Sequence, residues 1–98
     1  MSAGQSTPER IEALLREALQ PVDLQLTDDS NKHARHAGVR ERGGGHYELR
    51  IVSDRFEGLN PVARQRLIYQ IVAPLQSEIH ALSMRTLTPA EAAAERPA

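Results

Sequence analysis

The sequence predicts an α+β domain, a three-stranded mixed sheet with helices packed on one face, in the order α-β-β-α-β-α. Three observations carry that prediction. Apolar residues recur at helical spacing from Ile11 to Leu19 and from Leu67 to Val72. They alternate with polar residues in Val22–Thr27 and Tyr47–Ile51. A third β-rich run, Ile79 to Thr86, lies beyond the second helical stretch, so it returns to the sheet by a crossover and pairs parallel.

Ser6-Thr7-Pro8-Glu9 opens the first helix, with a hydroxyl cap, proline in the first turn and Glu9 placed to complete a capping box. Ile11, Leu14, Leu15, Ala18 and Leu19 form its buried face, and Gln20-Pro21 ends it, because a residue before proline disfavours helical geometry. Val22, Leu24 and Leu26 then face one way in a half-buried strand that ends in the turn-forming Asp28-Asp29-Ser30-Asn31. Gly43-Gly44-Gly45 leads into the second strand, antiparallel to the first in a hairpin with an overgrown connection. Ser53 to Gly58 is a turn, Asn60 caps and Pro61 opens the second helix, and Pro74 ends or kinks it near Val72. A short turn then runs to about Glu78 before the third strand, which Thr88-Pro89-Ala90-Glu91 follows as a second capping box. The expected organisation is a flexible N-terminus at 1–7, a single domain at 8–91 and a frayed tail at 92–98.

With 98 residues, 40% hydrophobic but only 3% aromatic, one small aliphatic core is expected. A formal charge of −1 gives no global attraction to nucleic acid or membrane. The absence of cysteine removes disulfides, cysteine nucleophiles and thiolate ligands from this chain. No apolar run or basic leader marks a membrane span or export signal, so the expected location is cytoplasmic. Nothing matches an enzyme: Gly43-Gly44-Gly45 lacks the lysine of a phosphate-binding loop, and no supported triad or carboxylate pair is present.

The polar connection from His33 onward is the feature without an evident structural purpose. Connections longer than about 12–15 residues are uncommon in compact domains and are often functional or disordered. His33 and His36 are either solvated loop residues or imidazoles able to close on a metal with a third group. His80 falls by period-two alternation on the side of Leu82 and Met84, at the rim where its strand begins. It is either a rim histidine satisfied by backbone or part of an imidazole site used between proteins. His46, at the start of the second strand, reads as structural. Arg55, Arg64 and Arg66, with Arg50, form either a basic face for phosphates or, with Glu48, Asp54 and Glu57 among them, a solvated mixed-charge surface.

The blocks HYELRIVSDRFEGLNPVARQRLIY and EIHALSMRTLTPAE, with DDSNKHARHAG ahead of them, resemble the BolA family from Pro8 to Glu91. The resemblance implies a class II KH-like fold and a non-enzymatic partner of monothiol glutaredoxins. Such a protein is a monomer alone and a heterodimer with its partner, sharing a bridging 2Fe–2S cluster to which glutaredoxin and glutathione bring sulfur. It implies a role in iron–sulfur cluster trafficking and maturation or in iron-dependent regulation. Residue by residue, His80 matches the family's C-terminal ligand and His33 its loop ligand, with His36 as the alternate, which makes this a histidine-type member. One departure is Gln65, where the family usually has histidine between the two arginines. The alternative implied by the family is a DNA-binding transcriptional regulator using Arg55, Arg64 and Arg66.

Overall fold

A computed structural model describes residues 6–28 and 45–95. Helix α1 (Thr7–Leu19) has the expected capping box, with the Ser6 hydroxyl accepting from the Glu9 N–H and the Glu9 carboxylate accepting from the Ser6 N–H. Gln20, unable to continue the helix before Pro21, turns left-handed at φ 46°. Strands β1 (Asp23–Asp28) and β2 (Gly45–Val52) pair antiparallel, with Leu24 opposite Ile51 and Leu26 opposite Leu49.

Val22 departs from the expected pattern. The chain is still bending out of α1 there, and although its N–H donates to the Val52 carbonyl, its side chain is 70% exposed. The alternation holds only from the strand's first residue onward.

Ser53 ties three elements together beyond β2. Its N–H donates to the Leu87 carbonyl and its hydroxyl donates to the Leu19 carbonyl at 2.8 Å while accepting from the Arg55 N–H. A 3-10 turn (Asp54–Phe56) follows, driving Phe56 fully into the core, and Gly58 reverses the chain at φ 80°. Asn60 caps helix α2 (Pro61–Val72), which ends where Pro74 requires and passes into a 3-10 segment (Ala73–Glu78) that buries Leu75. Strand β3 (Ile79–Leu87) lies parallel to β2, giving the sheet order β1-β2-β3.

Tyr47, Leu49 and Ile51 from the central strand join Ile11, Leu15 and Leu19 of α1 and Ile68 and Val72 of α2 in one core. On the other side of the sheet Gln25, Thr27, Glu48, Ser83 and Arg85 stay exposed. This is the expected α+β, class II KH-like arrangement with a mixed three-stranded sheet.

Regular structure is present on the outer side of residues 8 and 91. Thr7 belongs to α1 and its hydroxyl donates to Glu78 at 2.6 Å, so the domain begins before Pro8. Helix α3 (Pro89–Ala94) runs beyond residue 91, and the Glu95 carboxylate accepts hydrogen bonds from Arg50 and Arg85, where a frayed tail was expected. Helix capping and a carboxylate shared by two arginines hold that end in place.

Candidate metal centre at the open end of the parallel strands

β3 enters the sheet under tight control. Glu78, the last residue of the 3-10 segment, accepts from the Thr7 hydroxyl and, through both carboxylate oxygens, from Arg10 Nη1 at 3.2 and 3.1 Å. The Thr7 hydrogen bond, aided by Arg10, holds the Glu78 carboxyl below its ordinary value, so it stays ionised and fastened to α1. Next to this clamp the buried Tyr47 hydroxyl is pushed up by desolvation and by Asp28.

The parallel register slips here. Gly45 pairs with Ile79 and His46 pairs with Ala81, so one residue of β3, His80, is extra. A bulge of this kind re-aims a side chain and is frequent beside functional sites. His80 accordingly does not follow Leu82 into the core: Leu82 is buried, whereas His80 is exposed. Its ring lies on that of His46, with centroids 4.8 Å apart and planes inclined at 29°.

Two imidazoles converge at this end of the sheet, one exposed and one half-buried. Neutral imidazole suits borderline cations, iron and zinc among them, and each of the two strands presents one here. Among the described residues no group of three or more His, Cys, Asp or Glu side chains is disposed to hold a metal. An ion bound at this pair would take its remaining ligands from outside these described side chains. Imidazole nitrogen is a donor that iron accepts, so the pair would fit as part of an iron site. The sequence-assigned ligands His33 and His36 lie outside the described residues.

The arginines resolve differently from the phosphate-binding face the sequence offered. Arg64 is buried: it donates to the Leu59 carbonyl at 2.8 Å, the Thr86 carbonyl at 3.0 Å and both oxygens of Glu91 at 2.7 and 3.1 Å. Its guanidinium also sits 5.7 Å over the Phe56 ring. Hydrogen bonds from Arg64 and from the Thr88 backbone lower the Glu91 carboxyl to about 2. Arg50 pairs with Asp23 and Glu95. Arg55 donates to the Ala18 carbonyl and to Gln20 yet remains exposed, and Arg66 is exposed on α2 beside Gln65. Of the three arginines, Arg55 and Arg66 face solvent and Arg64 belongs to the fold.

An α+β domain with helices on one sheet face and a histidine at the bulged start of its edge strand defines the class. The family described as BolA-like protein matches residues 15–91, and the chain belongs to the BolA family. It is 47% identical over 87 residues to SufE-like protein 1, chloroplastic/mitochondrial, of Arabidopsis thaliana, covering 84% of this chain and 24% of that one. It is 42% identical over 81 residues to the DNA-binding transcriptional regulator BolA of Escherichia coli, covering 82% of this chain and 73% of that one. The solution structure of BolA1 from Mus musculus superposes with a TM-score of 0.75 at 33% identity, covering 96% of this chain and 74% of that one. The chain spans 24% and 53% of the length of two plant relatives, SufE-like protein 1 and BOLA1, both of which carry organellar names. Among the described residues no helix is long and apolar enough to cross a membrane.

Proposed function

We propose that this BolA-family protein is a non-enzymatic partner of a monothiol glutaredoxin, with which it shares a bridging 2Fe–2S cluster for trafficking and maturation or for iron-dependent regulation. The observation that supports this reading is the exposed His80 at a bulged strand start, against a second imidazole and with no complete ligand set among the described residues. Such a half-site needs another molecule to close it, and glutaredoxin with glutathione would bring the sulfur donors. His80 is the ligand on this chain, and the family pattern assigns a second to His33, with His36 as its alternate. A cluster with imidazole in place of thiolate has a raised potential, which suits transfer or sensing better than storage. The cytoplasm, where glutathione is reduced, is the compartment this reading favours.

Mixing the protein with cluster-loaded monothiol glutaredoxin is expected to change the visible circular dichroism of the cluster, and His80→Ala to abolish the change. A mutant spectrum identical to that of the native mixture would remove His80 from the site.

Relatives named as DNA-binding regulators favour a second reading. With Arg64 committed to Glu91, Arg55 and Arg66 are left for phosphate. Two phosphate contacts give a log–log salt slope of about −2 for duplex binding, at about 0.9 per contact. Binding that disappears on replacing both arginines supports this reading, and no binding at low salt eliminates it.

A further inference from the structure

We propose that the open face of the sheet binds a small hydroxylated phosphate monoester, with Arg50 and Arg85 as the anion clamp and the Glu95 side chain as a gate that fills the clamp in the free protein. The site is separate from the histidine pair and does not depend on the glutaredoxin reading.

Strand register builds it. Gln25, Arg50 and Arg85 are partners across all three strands, and Thr27, Glu48 and Ser83 form a second such row. Residues two apart on a strand share a face and lie about 7 Å apart, which sets the spacing of the rows. Both rows line a hollow of about 300 Å³ on the side of the sheet away from the core. That is the lower end of the range for small-molecule pockets, about 300–1,000 Å³.

The clamp shows what it accepts by what it holds. One Glu95 oxygen accepts from Arg50 Nη2 at 2.7 Å, and the other from Arg85 Nε and Nη2 at 3.1 and 2.5 Å. Two guanidinium groups facing each other on neighbouring strands repel, so the pair needs an anion between them. Glu95 supplies one and is replaceable. It lies just past the six-residue α3 and reaches the clamp through a flexible side chain. Its departure leaves α3 held by the Thr88–Glu91 capping box and by Glu91 on Arg64.

A tethered carboxylate acts at an effective concentration of about millimolar, so a displacing ligand needs more charge than another carboxylate brings. A phosphate monoester has it, with about −1.5 to −2 charge near neutral pH and three acceptor oxygens for the two guanidinium forks. The hollow then receives the rest of the ligand, its hydroxyls meeting the Gln25 amide and the Thr27 and Ser83 hydroxyls. Nearby acids limit the charge. Asp23 accepts from Arg50 Nη1 at 2.9 Å, and Glu48 stands in the second row. A second phosphate, or a nucleic-acid backbone laid across the sheet, therefore meets carboxylates on either side of the clamp. One phosphate on a polar body is what this face takes.

Glycerol 3-phosphate titrated into the full-length protein, followed by amide and arginine side-chain resonances, is expected to show one saturable site on the two rows. Glu95→Gln, which leaves the clamp without its internal anion, should tighten binding at least threefold, and Arg85→Ala should weaken it at least tenfold. Thermal melts confirm that each variant is folded. If the two arginines and Glu95 are only a structural ion-pair network, Glu95→Gln loses thermal stability and gains no affinity for the phosphate. That result, or no binding by both the native protein and Glu95→Gln, would overturn the inference. So would glycerate or inorganic phosphate binding as tightly as glycerol 3-phosphate, since the first removes the need for phosphate and the second the role of the hollow. Binding of a single-stranded oligonucleotide here that tightens with its length would make the face a nucleic-acid surface and also overturn it.

Discussion

Phe56→Ala is expected to destabilise the domain by about 3–5 kcal/mol, the range for deleting a buried phenylalanine side chain. Phe56 is the sole phenylalanine of the chain, is 0% exposed, and sits among aliphatic neighbours. Those neighbours are branched and anchored in regular elements, so they relax little into the space and most of the cavity persists. Two local structures fail with it: the 3-10 turn from Asp54 to Phe56 loses its buried end, and the Arg64 guanidinium loses the ring beneath it. For a domain of this size, where each kcal/mol moves the midpoint by about 4–8 °C, the melting temperature should fall on the order of 20 °C. That is a large part of a total stability of about 5–15 kcal/mol. Phe56→Leu, which keeps most of the volume, should lose less than half as much, and Tyr69→Ala, at a half-exposed position, less again. A thermal melt of Phe56→Ala within a few degrees of native would mean that the turn does not depend on its buried ring.

The sequence announced most of this fold because its signals are local. Caps at Ser6, Asn60 and Thr88 and the helix-ending Pro74 act through a neighbouring residue or two, and each element they bound is present. Where pattern failed, the deciding interaction was distant in sequence. Val22 continues the alternation of Leu24 and Leu26, but alternation does not say where a strand begins. Arg64 was grouped with Arg55 and Arg66 by charge, although its spacing of four and eight residues from Ile68 and Val72 places it on the buried row of α2. That clue was available, and charge overrode it. His80 was assigned by period two to the side of Leu82, which a bulge undoes, and a bulge arises from register against another strand. That His46 and His80 meet follows from topology: both lie at the start of their strands, and parallel neighbours bring their starts together.

Arg64→Ala should be the next most damaging change, at about 2–4 kcal/mol, because it removes a buried cation that makes four hydrogen bonds instead of a surface charge. The Leu59 and Thr86 carbonyls lose their donor, Glu91 loses its counter-ion, and β3, an edge strand, loses a side chain that occupies one of its outward carbonyls. The same pair sets an acid limb of stability. Glu91 is ionised in the folded protein down to about 2, against an ordinary value of 4.5, with the Arg64 hydrogen bonds as the largest cause. A carboxyl depressed by folding stabilises the native state above its unfolded value, and that contribution disappears as the pH falls through the folded value. Native protein should therefore keep this contribution at neutral pH and lose it progressively between about pH 4.5 and 2. Glu78 and Glu95 are lowered as well and add to the same limb. Glu91→Gln keeps an acceptor for the capping box of α3 but carries no charge. It should start from a lower melting temperature at pH 7 and lose less on acidification, so the two curves converge toward pH 2. Parallel curves for the native protein and Glu91→Gln across that interval would show that the Arg64 pair does not control acid stability.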